Sequence, residues 1–248
     1  MDRTYPRRRN RNECGVMTTT LVTGANKGLG YETARRLIAA GHTVYLGARD
    51  PEKGRAAAER LSARFIALDI TDDASVDAAA ATIPELDVLV NNAGIEERTS
   101  DGGFVAVSDV TADTLRTAFD TNVFGTVRVL HAFLPALQRS PAPVIVNVSS
   151  GLGLPRALID PASPAHFYPG VAYPASKAAL NMITVQYAKA FPGIRINAVE
   201  PGFTKTDLNH HTGTQSVEEG AEVIVRMAQI GSDGPTGGFF HSGGALDW

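Results

Sequence analysis

Short β-branched segments alternate with helical segments along most of the chain, and this alternation restricts the fold more than any other feature. The predicted strands are Thr19–Thr23, Thr43–Ala48, Arg64–Leu68, Asp87–Val90, Pro143–Val148, Arg195–Val199 and Gly238–Phe240. The predicted helices are Leu29–Ala40, Pro51–Ser62, Asp73–Ala81, Thr111–Gln138 with a break near Asp120–Asn122, Tyr173–Phe191 and Val217–Gln229. Such alternation predicts a parallel sheet with helices on both faces, and right-handed crossovers make it doubly wound. We therefore expect a single α/β domain, a Rossmann fold with about seven strands.

The first sixteen residues differ from the rest. Residues 1–16 hold five arginines and two acids, whereas the whole chain of 248 residues has a net charge of −3. They show no apolar periodicity and no apolar segment typical of an export signal. We interpret 1–16 as a disordered tail and 17–248 as the domain. A role of this tail in binding nucleic acid or membrane is the weaker alternative.

Composition excludes several classes of protein. Cys14 is the single cysteine, so no internal disulfide can form. No run of 18 apolar residues predicts a membrane span, and no global basic excess points to nucleic acid. The histidines lack metal-ligand spacing, so no metal is expected. These features favour a cytoplasmic protein, and they leave monomer, dimer and tetramer open.

A glycine-rich turn, TGANKGLG at residues 23–30, follows the first strand and opens a helix. Glycines let the backbone approach a pyrophosphate, which the N–H groups and the dipole of the helix N-terminus then bind. The spacing is T-G-x-x-x-G-x-G rather than G-x-G-x-x-G, because residue 33 is threonine. A tight turn without a ligand is the structural alternative. The predicted cofactor-binding residues of this turn are Gly24, Asn26, Lys27, Gly28, Leu29 and Gly30.

The end of the second strand indicates which dinucleotide is preferred. An acid there would bind the ribose 2′-hydroxyl of NAD, and an arginine would accommodate the 2′-phosphate of NADP. Asp50 precedes Pro51 and is better explained as a helix cap, so Arg49 and Lys27 are left to face the ribose. We therefore expect NADP(H) to be preferred over NAD(H), with two solvated surface charges as the alternative. Asp69 either accepts a hydrogen bond from the adenine amino group or caps the next helix, where Asp72 competes with it.

Tyr173 and Lys177 are four residues apart in YPASK and would share one face of a helix. An ammonium about 4 Å from the hydroxyl, at an effective dielectric of about 20, would lower the pKa of the tyrosine by about three units at most. Tyrosine would then exchange protons near neutral pH. Ser149 and Ser150 end a strand on the predicted ligand side, and no G-x-S-x-G turn surrounds them. Each feature alone is also compatible with ordinary surface or core residues.

Seven motifs together resemble the short-chain dehydrogenase/reductases, in their single-domain branch, and most closely the carbonyl-reductase-like members. The motifs span residues 19 to about 207 in the family's order. They are TGANKGLG at 23–30, LDIT at 68–71, NNAG at 91–94, Asn122, VNVSS at 146–150, YPASK at 173–177 and PGFTKTD at 201–207. The gap of 23 positions between Ser150 and Tyr173 is longer than in short members of the branch. We interpret residues 152–172 as a substrate wall or lid.

The resemblance implies a catalytic role for four residues. Tyr173 would be the acid in reduction and the base in oxidation, and Lys177 would lower its pKa and bind the nicotinamide ribose. Ser150 would polarise the substrate carbonyl, with Ser149 structural. Asn122 would hold a water in a proton relay through Lys177, and a satisfied buried amide is the alternative.

The resemblance also extends the cofactor site beyond the glycine turn. Asn92, Ala93 and Gly94 would lie along the adenine ribose, and Pro201 and Gly202 would shape a loop over the nicotinamide. The remaining predicted contacts are Asp69, Ile70, Tyr173, Lys177, Thr204 and Thr206.

The sequence thus predicts an NADP-dependent oxidoreductase that transfers hydride between nicotinamide and a small carbonyl or alcohol substrate. A non-catalytic NADP-binding sensor on the same fold is the alternative. An epimerase or dehydratase would need a larger substrate domain. Glu96 and Glu97 are expected to be a solvated pair, although a contact of Glu96 with substrate is left open. Trp248 either covers the pocket or frays.

Overall fold

The described residues, 17–99 and 102–248, form an eight-stranded sheet in this computed structural model. The predicted tail 1–16 lies outside the described residues. The strands are β1 Thr19–Val22, β2 Thr43–Ala48, β3 Arg64–Ala67, β4 Val88–Asn91, β5 Val144–Val148, β6 Arg195–Val199, β7 Phe239–His241 and β8 Gly244–Leu246. Their order in the sheet is β3-β2-β1-β4-β5-β6-β7-β8. The chain reverses direction across the sheet between β3 and β4, which is the switch point of a doubly wound sheet.

Helices cover both faces of the sheet. They are α1 Gly28–Ala39, α2 Pro51–Leu61, α3 Asp73–Thr82, α4 Ala112–Phe119, α5 Thr126–Arg139, α6 Pro155–Ile159, α7 Ala172–Ala190 and α8 Val217–Ala228. Successive strand residues point to opposite faces. Val22 packs in the cluster that contains α1, α2 and α8, whereas Leu21 packs in the cluster that contains α3, α5 and α7. The result is a three-layer α/β sandwich, as the strand–helix alternation predicts.

The first seven strands are parallel, and β8 pairs antiparallel with β7. This eighth strand was not predicted, because three residues beside a Gly-Gly pair carry no period-2 pattern. Trp248, just beyond it, stacks on Phe239 with ring centroids 5.3 Å apart and donates its indole N–H to the carbonyl of Gly237. The C-terminus therefore packs on the edge of the sheet.

The predicted break in the long central helix is confirmed. A π-helical turn, Asp120–Gly125, separates α4 from α5. Such turns are rare, and they occur often at functional sites. The long segment before α7 contains α6 and two 3₁₀ turns at Gly151–Gly153 and Pro164–Phe167.

The carboxyl ends of the parallel strands share one edge of the sheet. Most of the loops that leave this edge carry predicted site residues, among them the glycine turn after β1 and Ser150 after β5. The fold therefore gathers motifs that lie far apart in the sequence.

Candidate active site

The glycine turn after β1 has a backbone that other residues could not adopt without strain. Gly24 has a φ of +63°, and a Cβ added there would lie 2.9 Å from the Cα of Ala93. A Cβ on Gly30 would lie 2.5 Å from the side-chain nitrogen of Asn92. That nitrogen donates hydrogen bonds to the carbonyls of Thr23, at 2.9 Å, and Gly24. Asn92 thus fixes the turn. Thr23, whose hydroxyl accepts from two amides of the NNAG segment, was missed by the sequence reasoning.

The N-terminus of α1 has no side-chain cap. Side chains of Asp50, Asp72, Thr111 and Ser216 cap α2, α3, α4 and α8, whereas Lys27 at the start of α1 makes no capping bond. Uncapped first-turn N–H groups at a glycine-rich turn form a site for an anion. This observation fits the pyrophosphate of a dinucleotide, and the residues present therefore fit such a cofactor.

The charged residues predicted to lie near the ribose of the cofactor match the expectation in part. Asp50 caps α2 by accepting from the amides of Glu52 and Lys53, both at 3.1 Å, so its interpretation as a cap is confirmed. Arg49 is exposed at the end of β2. Lys27, expected to face the ribose, instead donates to a carboxylate oxygen of Asp207 at 2.5 Å. The ammonium group of Lys27 therefore already has an acidic partner.

Asp69 and Asp72, which follow β3, have different roles. The carboxylate of Asp69 accepts from the amide and the hydroxyl of Thr71, and Asp72 caps α3. Burial acts to raise the pKa of Asp69, but the Thr71 hydrogen bonds and the charge of Arg49 lower it overall. Ile70 is 6% exposed and belongs to the core, where it packs beside Gly125.

Tyr173 and Lys177 lie one turn apart in α7, as their spacing predicts. The ammonium of Lys177 is 5.5 Å from the centre of the Tyr173 ring, and it donates to the carbonyl of Val148 at 2.8 Å. A Cβ on Gly94 would lie 3.7 Å from this ammonium and 3.2 Å from the side-chain oxygen of Asn122. The structure thus brings the NNAG turn, the π-helical turn and α7 together.

The protonation of this pair differs from the expectation. Burial raises the pKa of Tyr173, and the charges of Glu96 and Glu200 raise it further, whereas a hydrogen bond with Ser150 lowers it. Burial lowers the pKa of Lys177 to about 8. The expected net lowering of the Tyr173 pKa is therefore not seen in this structure, where burial outweighs the other effects. The argument from spacing left out the desolvation of both groups.

The two serines after β5 have separate roles. Ser149 is buried, and its hydroxyl donates to the side-chain oxygen of Asn181 at 2.5 Å, in agreement with a structural role. Ser150 accepts from the amide of Leu152 at 3.2 Å, and its hydroxyl is near enough to Tyr173 to lower the pKa of that phenol. The hydroxyls of Ser150 and Tyr173 thus lie together, and a carbonyl oxygen could bind to both.

Asn122 is a buried and satisfied amide in the π-helical turn. Its side-chain oxygen accepts from the amide of Ile95 at 2.8 Å. Its side-chain nitrogen donates to the carbonyl of Ile95 at 2.9 Å and to the hydroxyl of Ser176 at 3.0 Å. Asn122 therefore ties the loop after β4 to α7.

The loop after β6 lies across the glycine turn. The amide of Gln215 donates to the carbonyl of Pro201 and to the hydroxyl of Thr204 at 2.8 Å, so Gln215, which the sequence reasoning missed, holds the loop. Gly202 takes a φ of +83°. Thr204 is buried, and its hydroxyl bonds within the loop. The methyl group of Thr206 lies 3.7 Å from the Cβ position of Gly28, across the proposed cofactor site.

Glu96 was expected to be solvated, and this expectation is wrong. Its side chain is 6% exposed, and Arg98 binds one carboxylate oxygen through two nitrogens, at 2.7 and 3.1 Å. The other oxygen accepts from the hydroxyl of Tyr168. The ring of Tyr168 contacts Phe104 edge-on at 5.0 Å and lies 6.5 Å from that of Tyr173. Through Tyr168, which belongs to residues 152–172, this cluster lies beside Tyr173.

Glu97 is not solvated either. Both of its carboxylate oxygens are buried, and neither has a hydrogen-bond partner among the described residues. Sequence reasoning missed this because two adjacent acids usually mark an exposed surface.

Within residues 17–99 and 102–248, no helix is both long and apolar enough to cross a membrane. No three side chains of the His, Cys, Asp and Glu types converge there as metal ligands would. His211, in the loop after β6, lies 2.8 Å from a carboxylate oxygen of Asp207.

Comparisons with known proteins show which family and which solved structures this chain is similar to. The family model for short chain dehydrogenases matches residues 18–217. The (+)-neomenthol dehydrogenase of Capsicum annuum is 32% identical over 89% of this chain and 94% of its own. The solved structure of salutaridine reductase from Papaver somniferum is 30% identical, with a TM-score of 0.77, over 91% of this chain and 99% of that one. A carbonyl reductase from chicken fatty liver, solved with NADPH bound, is 27% identical with a TM-score of 0.78 and covers 94% and 99%.

The family model spans well over half of the chain, and its range includes the glycine turn, the NNAG segment, the second serine after β5 and the tyrosine–lysine pair. The relatives match almost the whole of their own length. The fold and the order of these motifs lead to the same result: the chain belongs to the short-chain dehydrogenase/reductase family.

Proposed function

We propose that this protein is an NADP(H)-dependent oxidoreductase that interconverts a small carbonyl compound and its alcohol, with Tyr173 as the general acid and base. The observation that carries the proposal is the convergence of Ser150, Tyr173, Lys177 and Asn122 beside an uncapped glycine turn. Family membership makes the chain an oxidoreductase, and the named residues specify its chemistry.

Residues at the carboxyl edge of the sheet would hold the cofactor. The open N-terminus of α1 would bind the pyrophosphate, and Asn92, Ala93 and Gly94 would lie along the ribose. The loop after β6 would cover the nicotinamide, with Thr206 opposite Gly28. When bound, the cofactor supplies or accepts the hydride at C4 of the nicotinamide.

The buried residues of the site would manage the proton. Ser150 would donate a hydrogen bond to the substrate carbonyl, polarising it beside Tyr173. The raised pKa of Tyr173 keeps its hydroxyl protonated at neutral pH, so it would give its proton to the developing alkoxide in reduction. The ammonium of Lys177 donates a hydrogen bond to the carbonyl of Val148. After each reduction it would help to return a proton to the Tyr173 hydroxyl. The site is thus arranged as a proton donor for carbonyl reduction.

Two cations support the preference for NADP(H). Arg49 is exposed at the position that accommodates a 2′-phosphate, and Asp50, which would favour NAD, is engaged as a helix cap. Lys27 is the second cation, and in this structure it is paired with Asp207. Among the solved relatives, the chicken carbonyl reductase contains NADPH, and a protein 25% identical to this chain, ElxO, contains NADP.

The experiment combines cofactor binding with turnover. We expect NADPH to bind at least about tenfold tighter than NADH in a fluorescence titration, since a charge-assisted phosphate contact contributes about 1.5–3 kcal/mol. Arg49→Ala is expected to weaken NADPH binding and to leave NADH binding unchanged. The wild type is expected to oxidise NADPH in the presence of a member of a ketone and aldehyde panel.

A substitution at the tyrosine separates the enzyme from a sensor. Tyr173→Phe is expected to lower kcat at least about 100-fold, the usual effect of losing a general acid, with the NADPH Kd within about twofold. The control is Tyr187→Phe, a partly buried tyrosine on the same helix. Binding of NADPH without turnover of any carbonyl, or equal rates for Tyr173→Phe and wild type, would contradict the proposal.

A further inference from the structure

Glu97 has a buried carboxyl group that the proposed chemistry does not use. Its two carboxylate oxygens are shielded from solvent and have no hydrogen-bond partner among the described residues. Burial raises the pKa of Glu97, and the nearby backbone of Ala118 offsets only part of this effect. A buried carboxylate without partners is costly, and native proteins seldom retain one unless a ligand compensates it.

Glu97 is one of the residues that line a pocket that also contains Tyr173. The other walls are largely apolar and include Phe104, Val110 and Val171. The pocket is partly open to solvent. A substrate whose carbonyl lies at Tyr173 would place another part of its skeleton against Glu97.

The neighbouring acid shows that the lack of a partner is specific to Glu97. Glu96 is also buried, with its side chain 6% exposed, but Arg98 neutralises it and Tyr168 donates to its second oxygen. Arg98 also lies over the ring of Phe104, 3.7 Å from its centre, so its guanidinium is held in that arrangement. Glu97 therefore receives no cation from within the described parts of the chain.

We propose that Glu97 is a substrate-binding residue that pairs with a protonated amino group, so that the pocket takes a ketone or aldehyde bearing an amine. An ammonium supplies both the charge and the N–H donors that two unpartnered carboxylate oxygens require. A neutral hydroxyl would supply a donor and leave the charge uncompensated. This inference rests on the proposed reductase function for the position of the carbonyl, at Tyr173.

A matched pair of ketones tests the proposal. The substrates 4-(dimethylamino)cyclohexanone and 4-isopropylcyclohexanone have nearly the same shape, and only the first carries a cation at pH 7. The wild type is expected to favour the amine by at least about tenfold in kcat/KM, as for other charge-assisted hydrogen bonds. Glu97→Gln is expected to remove that preference through KM and to leave the isopropyl ketone within about twofold.

The control is Glu222→Gln, an exposed acid on α8, which is expected to behave as wild type. Equal kcat/KM for the two ketones with wild type, or equal losses on both with Glu97→Gln, would overturn the assignment of Glu97.

A binding measurement separates this inference from the proposed function. N,N-dimethylcyclohexylamine, which lacks a carbonyl, is expected to raise the Tm of the wild type and not that of Glu97→Gln. If neither ketone turns over and this difference in Tm is present, the proposed function fails while the cation site stands. If the amine shifts both proteins equally or neither of them, the cation site is refuted even when ketones are reduced.

Discussion

Replacing Asn122 by alanine is expected to destabilise the protein through the π-helical turn. The side chain is 1% exposed and makes three hydrogen bonds, two with the backbone of Ile95 and one with Ser176. Ser176 keeps a partner in the substituted protein, because its hydroxyl donates to the carbonyl of Tyr173 at 2.7 Å. The N–H and C=O of Ile95 lose their partners in this contact.

The size of the destabilisation follows from the N–H and C=O groups of Ile95. Each buried backbone group left without a partner costs about 1–3 kcal/mol, so the two together cost about 2–6 kcal/mol. Alanine is the better helix former by about 0.6 kcal/mol, which offsets a small part. The free energy of unfolding should therefore fall by about 2–5 kcal/mol. For a domain of this size the Tm should fall by about 4–20 °C.

Denaturant titration and thermal unfolding of wild type and Asn122→Ala provide the measurement. Gln138→Ala, an exposed position on α5, is the control and should stay within about 0.5 kcal/mol of wild type. Activity is compared at a temperature at which both proteins are folded. Loss of activity with an unchanged free energy of unfolding would refute the structural argument and favour a role for Asn122 in holding a relay water alone.

Two further predictions concern charge. Asp207→Asn should release Lys27 and tighten NADPH binding by up to about fivefold, because exposed ion pairs are worth about 0–1 kcal/mol. NADH binding should not change, and the gain should shrink as salt is added; an equal gain for both cofactors would contradict this interpretation. Between pH 7.5 and 9.5 the free energy of unfolding should rise with pH by about 2 kcal/mol from Lys177. Burial lowers the pKa of this lysine from its ordinary value of 10.5 to about 8 in the folded protein, so the unfolded state binds more protons over that range. Urea titrations at several pH values check this, and Lys177→Met should flatten the rise; equal slopes in both proteins would argue against the buried ammonium.

Local patterns explain why much of the architecture was predictable. The cap at Asp50 and the proline after it act within one helical turn, and both were recognised from the sequence and confirmed. The break near Asn122 was recognised because asparagine is unfavourable inside a helix. The eighth strand was missed, since Gly244–Leu246 is held by pairing with β7 rather than by a pattern of its own.

Long-range contacts explain what was missed in the site. Lys27 and Asp207 are 180 positions apart, and Glu96 and Tyr168 are 72 positions apart. Neither pair leaves a trace in a local window of sequence. The solvation of Glu97 was misjudged for the same reason, because segments distant in the chain bury it.

The doubly wound sheet, the glycine turn at the end of β1 and the order of the motifs that identify the family were all readable from the amino-acid order. Those properties depend on periodicity, on turn residues and on right-handed crossovers, which act locally. The protonation of Tyr173 and Lys177, the partner of Lys27 and the burial of Glu97 became visible only in the folded chain. Desolvation and Coulomb interactions depend on which segments exclude water from a group, and that is settled only when distant parts of the chain pack together.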